Sequence, residues 1–239
     1  MSLELILGKP EVNNLKVEIV KSSLVIDDKL QTQIDESWGN FLQEMLYKGR
    51  SPWNGKKYRV EKIEKNIVFL SETDFKTNLC LRRIDQMQLR NNAVVVANIM
   101  TNGNYLVFGR RKNVGIAEGL IAWIAGGVEP VENSENVLID TMKIELKEEL
   151  GLKVNEYDLL LKLVYKSVEQ GAYYFYFETY TKLSKAEVLE RFNIAEHKEE
   201  NSELLFYKNI EEGINKLKNE KDMLPEVVEF FNKFYEIKY

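Results

Sequence analysis

Between Ala122 and Leu152 the chain passes from an apolar run through a Gly-Gly pair and a polar stretch into an amphipathic acidic segment that closes on glycine. That succession constrains the fold most, because each part needs a different backbone. Ala122-Trp-Ile-Ala reads as an apolar strand, and Gly126-Gly127 as the turn it opens into. Without side chains, those glycines let a carbonyl or a diphosphate come close. Helical spacing then takes over, with Leu138, Ile139, Met142, Leu146 and Leu150 forming one apolar stripe. Ser134 is placed to cap its start, and Gly151 to end it in a left-handed conformation.

On the remaining surface of that helix Glu145, Glu148 and Glu149 fall at i, i+3 and i+4, so three carboxylates share a face within about two turns. A solvated acidic face has the same pattern, since like charges at this spacing repel by only ~0.2–0.5 kcal/mol per pair. The glycine pair just upstream favours the other reading, a surface that binds magnesium.

Strand, glycine turn and acidic helix together resemble the Nudix box, which ends in Arg-Glu-apolar-any-Glu-Glu-any-Gly-apolar. Glu145, Leu146, Glu148, Glu149, Gly151 and Leu152 are in register with it, while Ile144 stands where the pattern has Arg. About three residues more than the pattern allows separate Gly127 from that position, so Glu132 and Glu135 only approximate the box's first Glu. Lys143 is adjacent to Ile144 but rotated about 100° around the helix, a poor substitute for the Arg. The flanks WNGKKYRV at 53–60, ETDFKTNL at 72–79 and AEHKEENSELLFY at 195–207 resemble the branch containing UDP-glucose pyrophosphatase, which has a β-rich N-terminal extension and a lengthened box.

The resemblance implies a Mg2+- or Mn2+-dependent hydrolase that cleaves the diphosphate linkage of a nucleoside diphosphate derivative. A UDP-sugar such as UDP-glucose, split to UMP and sugar 1-phosphate, is the first expectation. ADP-ribose or a dinucleotide is the second. A Nudix-fold nucleotide-binding module without turnover is the third, motivated by Ile144 and the stretched box. Glu148 and Glu149 would hold the metal with the carbonyl of Gly126 or Gly127, and Glu145 would ligate or assist proton removal. Glu200, with Glu199 as its alternate, would supply a further acid from a loop opposite the helix. The expected catalytic set is thus Glu145, Glu149 and Glu200, and the expected metal set is Gly126, Glu145, Glu148, Glu149 and Glu200.

For substrate, Arg110 and Arg111 follow a strand and suit bidentate contact with phosphate, although GRR also serves to end a hairpin. Trp53, Asn54, Tyr58 and Arg59 are candidates for shaping a nucleotide pocket, against the alternative that aromatic residues near a domain junction pack there. Glu169 is a weaker candidate of the same kind. His197, the one histidine, adjoins Glu200 and is either a general base or an exposed loop residue.

The chain has 239 residues, 30% charged, with a net charge of −5 in which acids and bases interleave, so no footprint for nucleic acid stands out. Cys80 reads as an ordinary strand residue without a disulfide partner. No apolar run approaches the ~18 residues of a membrane span and the start lacks a signal-peptide layout, giving a cytoplasmic expectation. The resemblance implies a small nucleoside diphosphate substrate as partner, with neither nucleic acid nor membrane, and a homodimer is consistent with it.

The pattern divides into a β-rich extension over 1–90 and a mixed domain over 91–239, which the resemblance makes the Nudix hydrolase domain. Strands are expected at 3–8, 15–26, 57–63 and 66–71, around a helix over 28–48 carrying Leu30, Ile34, Trp38, Leu42 and Leu46 at helical spacing. Strands at 93–98 and 105–111 flank the turn Thr101-Asn102-Gly103-Asn104. Further strands fall at 158–166, 172–181 and 202–207, with Tyr173–Phe177 alternating between core and surface. A last helix over 223–237 buries Leu224, Val227, Val228, Phe231 and Phe234. The expected fold class is α/β (α+β), helices packed on a mixed sheet, for which the resemblance implies a Nudix-type α/β/α sandwich.

Overall fold

The computed structural model describes residues 2–9, 11–112 and 117–235. Asn92–Met100 (β5) is buried along nearly its whole length, as a strand covered on both faces must be, and the fold is arranged around it. Ala172–Thr181 (β10) lies parallel to it, in register from Ala172 opposite Asn92 to Tyr180 opposite Met100. On its other edge β5 pairs antiparallel with three strands in turn. Lys56–Glu64 (β3) meets it at Arg59, Ile124–Gly127 (β8) over Val94 to Ala97, and Tyr105–Arg111 (β6) at Ile99 and Met100.

The remaining strands complete one mixed sheet. Leu3–Leu7 (β1) pairs with Tyr157–Ser167 (β9), itself beside β10, while Lys16–Ile19 (β2) and Ile67–Asp74 (β4) continue outward from β3. Ile121–Ala122 (β7) and Asn201–Lys208 (β11) pair with β6. Strands from either side of residue 90 therefore share one sheet. They also share a core, in which Leu7, Val12, Tyr58, Val60, Val68 and Leu70 pack with Val95, Ala97 and Phe175.

Helices cover both faces, giving the α+β sandwich expected. Val137–Leu150 (α3) buries Leu138, Met142, Leu146 and Leu150 against the face made by Val95, Ala97, Ile99, Phe175 and Phe177. Lys185–Asn193 (α4) adds Val188 and Phe192 beside it. On the opposite face Glu211–Lys218 (α5) and Pro225–Lys233 (α6) cover Val96, Phe108, Trp123, Tyr165 and Tyr176. There the Phe230 ring stacks on Tyr176 at 4.3 Å and meets Trp123 edge-on at 5.2 Å. Asp28–Tyr47 (α1) and Phe75–Arg83 (α2) pack on each other through Ile34, Phe41, Met45, Leu79, Cys80 and Leu81.

Several local expectations change. Cys80 lies on α2 rather than on a strand, because the Asp74 side chain accepts from the Thr77 amide and starts a helix there. The cap of α3 is Asn136, whose side chain accepts from Leu138 and Ile139, while the Ser134 hydroxyl donates to Asp140. Gly151 does end α3 at φ 67. Helix α4, announced by a reciprocal Ser184–Glu187 capping box, and α5 were not foreseen. The buried line of α1 runs Ile34, Ser37, Phe41, Met45, leaving Leu46 exposed. Phe175, Tyr176 and Phe177 are all buried, because helices cover both faces of β10. Of the expected last helix, residues 236 and 237 lie outside the described residues, and α6 ends at Lys233.

Candidate active site

Gly126 and Gly127 are the last two residues of β8, paired with Val95 and Val94, and not a turn. Their lack of side chains serves α3, which lies across them. A Cβ on Gly126 would collide with the Glu145 carboxylate, so that side chain rests directly on the bare strand. Helical spacing sets Glu149 one turn on, so the two carboxyls are neighbours and each feels the other's charge. Glu149 is 5% exposed, and its Oε2 accepts a 2.6 Å hydrogen bond from Asn201 Nδ2. Asn201 pairs with Arg111 and its side chain lies over Gly109, two residues back on β6, where a Cβ would strike the Asn201 amide.

Glu200 closes the group from the other side. It ends a 3-10 turn over Lys198–Glu200, its carbonyl accepts from the Lys112 amide at 2.7 Å, and its carboxyl is close enough to add to the negative potential at both Glu145 and Glu149. Burial pushes the Glu145, Glu149 and Glu200 carboxyls above the usual carboxylate range. Lys57 does most to offset this at Glu145, and Arg111 does most at Glu200. Glu148 is half-buried beside them. Its backbone carbonyl accepts from the His197 amide at 2.8 Å, and its Oε2 stands 3.3 Å from His197 Nδ1. Hence the single histidine holds the Glu148 end of the helix to the Glu200 turn.

The expected residues thus separate into two groups. Gly126, Glu145, Glu148, Glu149, Glu200 and Arg111 come together. Arg110, one residue away on the same strand, necessarily points to the other side, where it binds Glu203, Asp222 and the Gly119 carbonyl. The expected pocket from 53–59 is not assembled. Trp53 is 76% exposed with its ring over Gly55, and the Asn54 side chain accepts from the Lys76 amide at the start of α2. Tyr58 belongs to the core. Arg59 is buried, donating to Glu61 and to the Leu89 carbonyl. Glu169 accepts from the Ser2 amide at the sheet's far edge, and Glu132 and Glu135 are exposed ahead of α3. Glu199 is exposed next to Glu200. Two residues missed in the sequence are Asn201 and Lys57. Asn201 directly follows Glu200 at the start of a strand, which was a signal of position if not of role.

Among the described residues no three His, Cys, Asp or Glu side chains already form a cage for a metal ion. What the structure does present is two neighbouring carboxyls on one helix, Glu149 buried and Glu145 half-buried, with a third opposite. All-oxygen donors of this kind suit Mg2+ or Mn2+, and a dication there would relieve the repulsion among these carboxyls.

No family model matches the chain, and no curated protein matches it in sequence. Solved structures do resemble it. A Deinococcus radiodurans protein aligns over 61% of this chain and 84% of its own, at 14% identity and a TM-score of 0.47. A MutT protein from Methanosarcina mazei Go1 covers 60% of this chain and 91% of its own at 19% identity and a TM-score of 0.41. A mutT/nudix family protein from Listeria innocua covers 60% and 90% at 15% identity and a TM-score of 0.42. Those likenesses are of shape at low identity, and the functional reading rests on the side chains. Among the described residues no helix is long and apolar enough to cross a membrane.

Proposed function

We propose that this chain is a Mg2+- or Mn2+-dependent hydrolase of Nudix type that cleaves the diphosphate linkage of a nucleoside diphosphate derivative, with a UDP-sugar such as UDP-glucose as the preferred substrate. One observation carries the reading. Glu145 and Glu149 from one helix and Glu200 from the turn before β11 bring three carboxyls together at a glycine floor, Glu149 buried and the other two half-buried. Burying a cluster of acids is unfavourable unless something is gained, and strongly perturbed carboxyls in a cluster mark functional sites.

In this reading Glu145, Glu148 and Glu149 would hold the metal, joined by the carbonyl of Gly126. The metal supplies charge neutralisation at the phosphates and a water of lowered pKa. Asn201 keeps the Glu149 carboxylate aimed by occupying its Oε2. Arg111 lies near Glu149 and Glu200 and would meet a phosphate oxygen there. Glu200, set opposite the helix and less deeply buried than Glu149, is the acceptor for the proton of the attacking water.

The test is product release from UDP-glucose beside ADP-ribose, with and without Mg2+, in the native chain and in Glu149→Gln. UMP that requires Mg2+ and disappears in the folded variant is expected. Turnover of ADP-ribose alone would keep the hydrolase and replace the substrate. Undiminished product from Glu149→Gln would remove the metal assignment.

A further inference from the structure

Lys57 comes from the N-terminal part of the chain, yet it stands at the carboxylates. Strand β3 is pinned beside the end of β8 by the Tyr58 amide, which donates to the Val128 carbonyl at 2.7 Å. Tyr58 turns into the core, so Lys57 projects from the other side of the strand. Its stem lies over Gly127: a Cβ on that glycine would be 3.4 Å from Lys57 Cδ, 3.6 Å from Cε and 3.8 Å from Nζ. The side chain is only 21% exposed, unlike a lysine free in solvent. Its ammonium donates to Glu129 Oε2 at 2.8 Å and, at the long distance of 3.4 Å, to the Gly127 carbonyl.

Around the site the positive charges are distributed by end. Lys57 is the strongest attractive charge on Glu145, while Arg111 acts on Glu149 and Glu200. A diphosphate lying along the row of carboxylates would meet a cation at both ends. Lysine suits one of them, being a compact charge that exchanges one oxygen partner for another without the fixed fork of arginine.

We propose that Lys57 is a phosphate-binding residue of this site: Glu129 holds its ammonium over Gly127 in the free protein, and an oxygen of the substrate's diphosphate takes the place of Glu129 at Nζ on binding. The inference rests on the diphosphate-hydrolase reading and assigns part of substrate binding to a strand outside the expected hydrolase domain. Glu129 then competes with the substrate for one ammonium. Removing Lys57 and removing the Glu129 charge should consequently act in opposite directions, which a purely structural ion pair could not do.

The experiment measures binding of α,β-methylene-UDP and α,β-methylene-ADP by calorimetry in Mg2+, for the native chain, Lys57→Gln and Glu129→Gln, with thermal melts alongside. Lys57→Gln should weaken binding of the better ligand about tenfold, and Glu129→Gln should tighten it severalfold. KM for the hydrolysed substrate should move in the same two directions, with kcat changing less. Equal binding by Lys57→Gln, or weakening by both variants with matching losses of Tm, would overturn the proposal. A native chain that binds neither ligand would overturn the diphosphate reading itself, and the Lys57 role with it. That outcome is distinct from tight native binding that is indifferent to Lys57.

Discussion

Glu145 occupies the space that any residue other than glycine at 126 would fill with its own Cβ. In Gly126→Ala that atom would fall 1.7 Å from Glu145 Oε1, 2.1 Å from Cδ and 2.8 Å from Cγ. Ordinary contact begins near 3.4 Å, so the carboxylate oxygen must retreat by about 1.7 Å, the difference between 3.4 and 1.7. Gly126 is not among the positive-φ glycines, and the atoms in the way belong to the far end of a flexible side chain. A new Glu145 rotamer therefore relieves the clash and the fold survives. A misplacement of about 1 Å at a reacting centre can cost on the order of 10²-fold. At ~1.36 kcal/mol per tenfold that is ~2.7 kcal/mol of barrier. Steady-state hydrolysis and a thermal melt on the same sample give the answer: kcat/KM is expected to fall at least ~10²-fold with Tm nearly unchanged. Full turnover in a folded Gly126→Ala protein would refute the placement of Glu145 as a working group.

Gly39→Ala makes a matched control, because nothing lies within 4 Å of its added Cβ in the middle of α1. It should leave turnover alone and raise stability by ~0.5–1 kcal/mol in denaturant melts. Asn201→Ala strips the buried Glu149 Oε2 of its donor, at a cost of ~1–3 kcal/mol. Lower stability together with a weaker Mg2+ response is expected, and an unchanged Mg2+ titration would show that Asn201 does not aim Glu149. Arg59→Met breaks a pair whose side chains are 5% and 8% exposed, and should destabilise by ~3–5 kcal/mol without altering KM in the folded fraction. A raised KM at native stability would return Arg59 to the substrate pocket. Burial holds the Glu226 carboxyl above its usual 4.5 in the folded chain. Its contribution is then complete below about pH 4.5 and is lost as pH rises through the folded value. Melts from pH 4.5 to 8 should therefore show native stability falling relative to Glu226→Gln, and parallel curves would contradict that.

The regular parts of the fold were legible because a period is a local property. Strands β5, β6, β9, β10 and β11 and helix α3 fall where the alternating or helical spacing of their apolar residues puts them. Segment 75–83 was not, because Leu79-Cys80-Leu81 alternates with polar neighbours in neither period cleanly, and the Asp74 cap decides it. The buried line of α1 departed from its most apolar stripe because it meets α2 on a narrower face. At the site, the acids on α3 could be read from their spacing alone. The partner at Glu149 could not, since Asn201 depends on the pairing of β11 with β6 and on the room left by Gly109. Likewise Lys57 reaches Glu129 and Gly127 only because β3 joins the sheet next to β8, a contact 70 residues apart in sequence. The two arginines at 110 and 111 were indistinguishable in composition, and the pleat of β6 separates their roles.

The most direct measurement is Mn2+ binding followed by electron paramagnetic resonance, on the native chain and on a folded Glu145→Gln/Glu149→Gln double variant. Saturable Mn2+ binding in the native chain, displaced by Mg2+ and lost in the double variant, is the predicted result. Binding that survives loss of both helix carboxylates, or a native chain that takes up no Mn2+ with or without α,β-methylene-UDP, would contradict the claim that this acidic cluster is a metal-dependent hydrolytic centre.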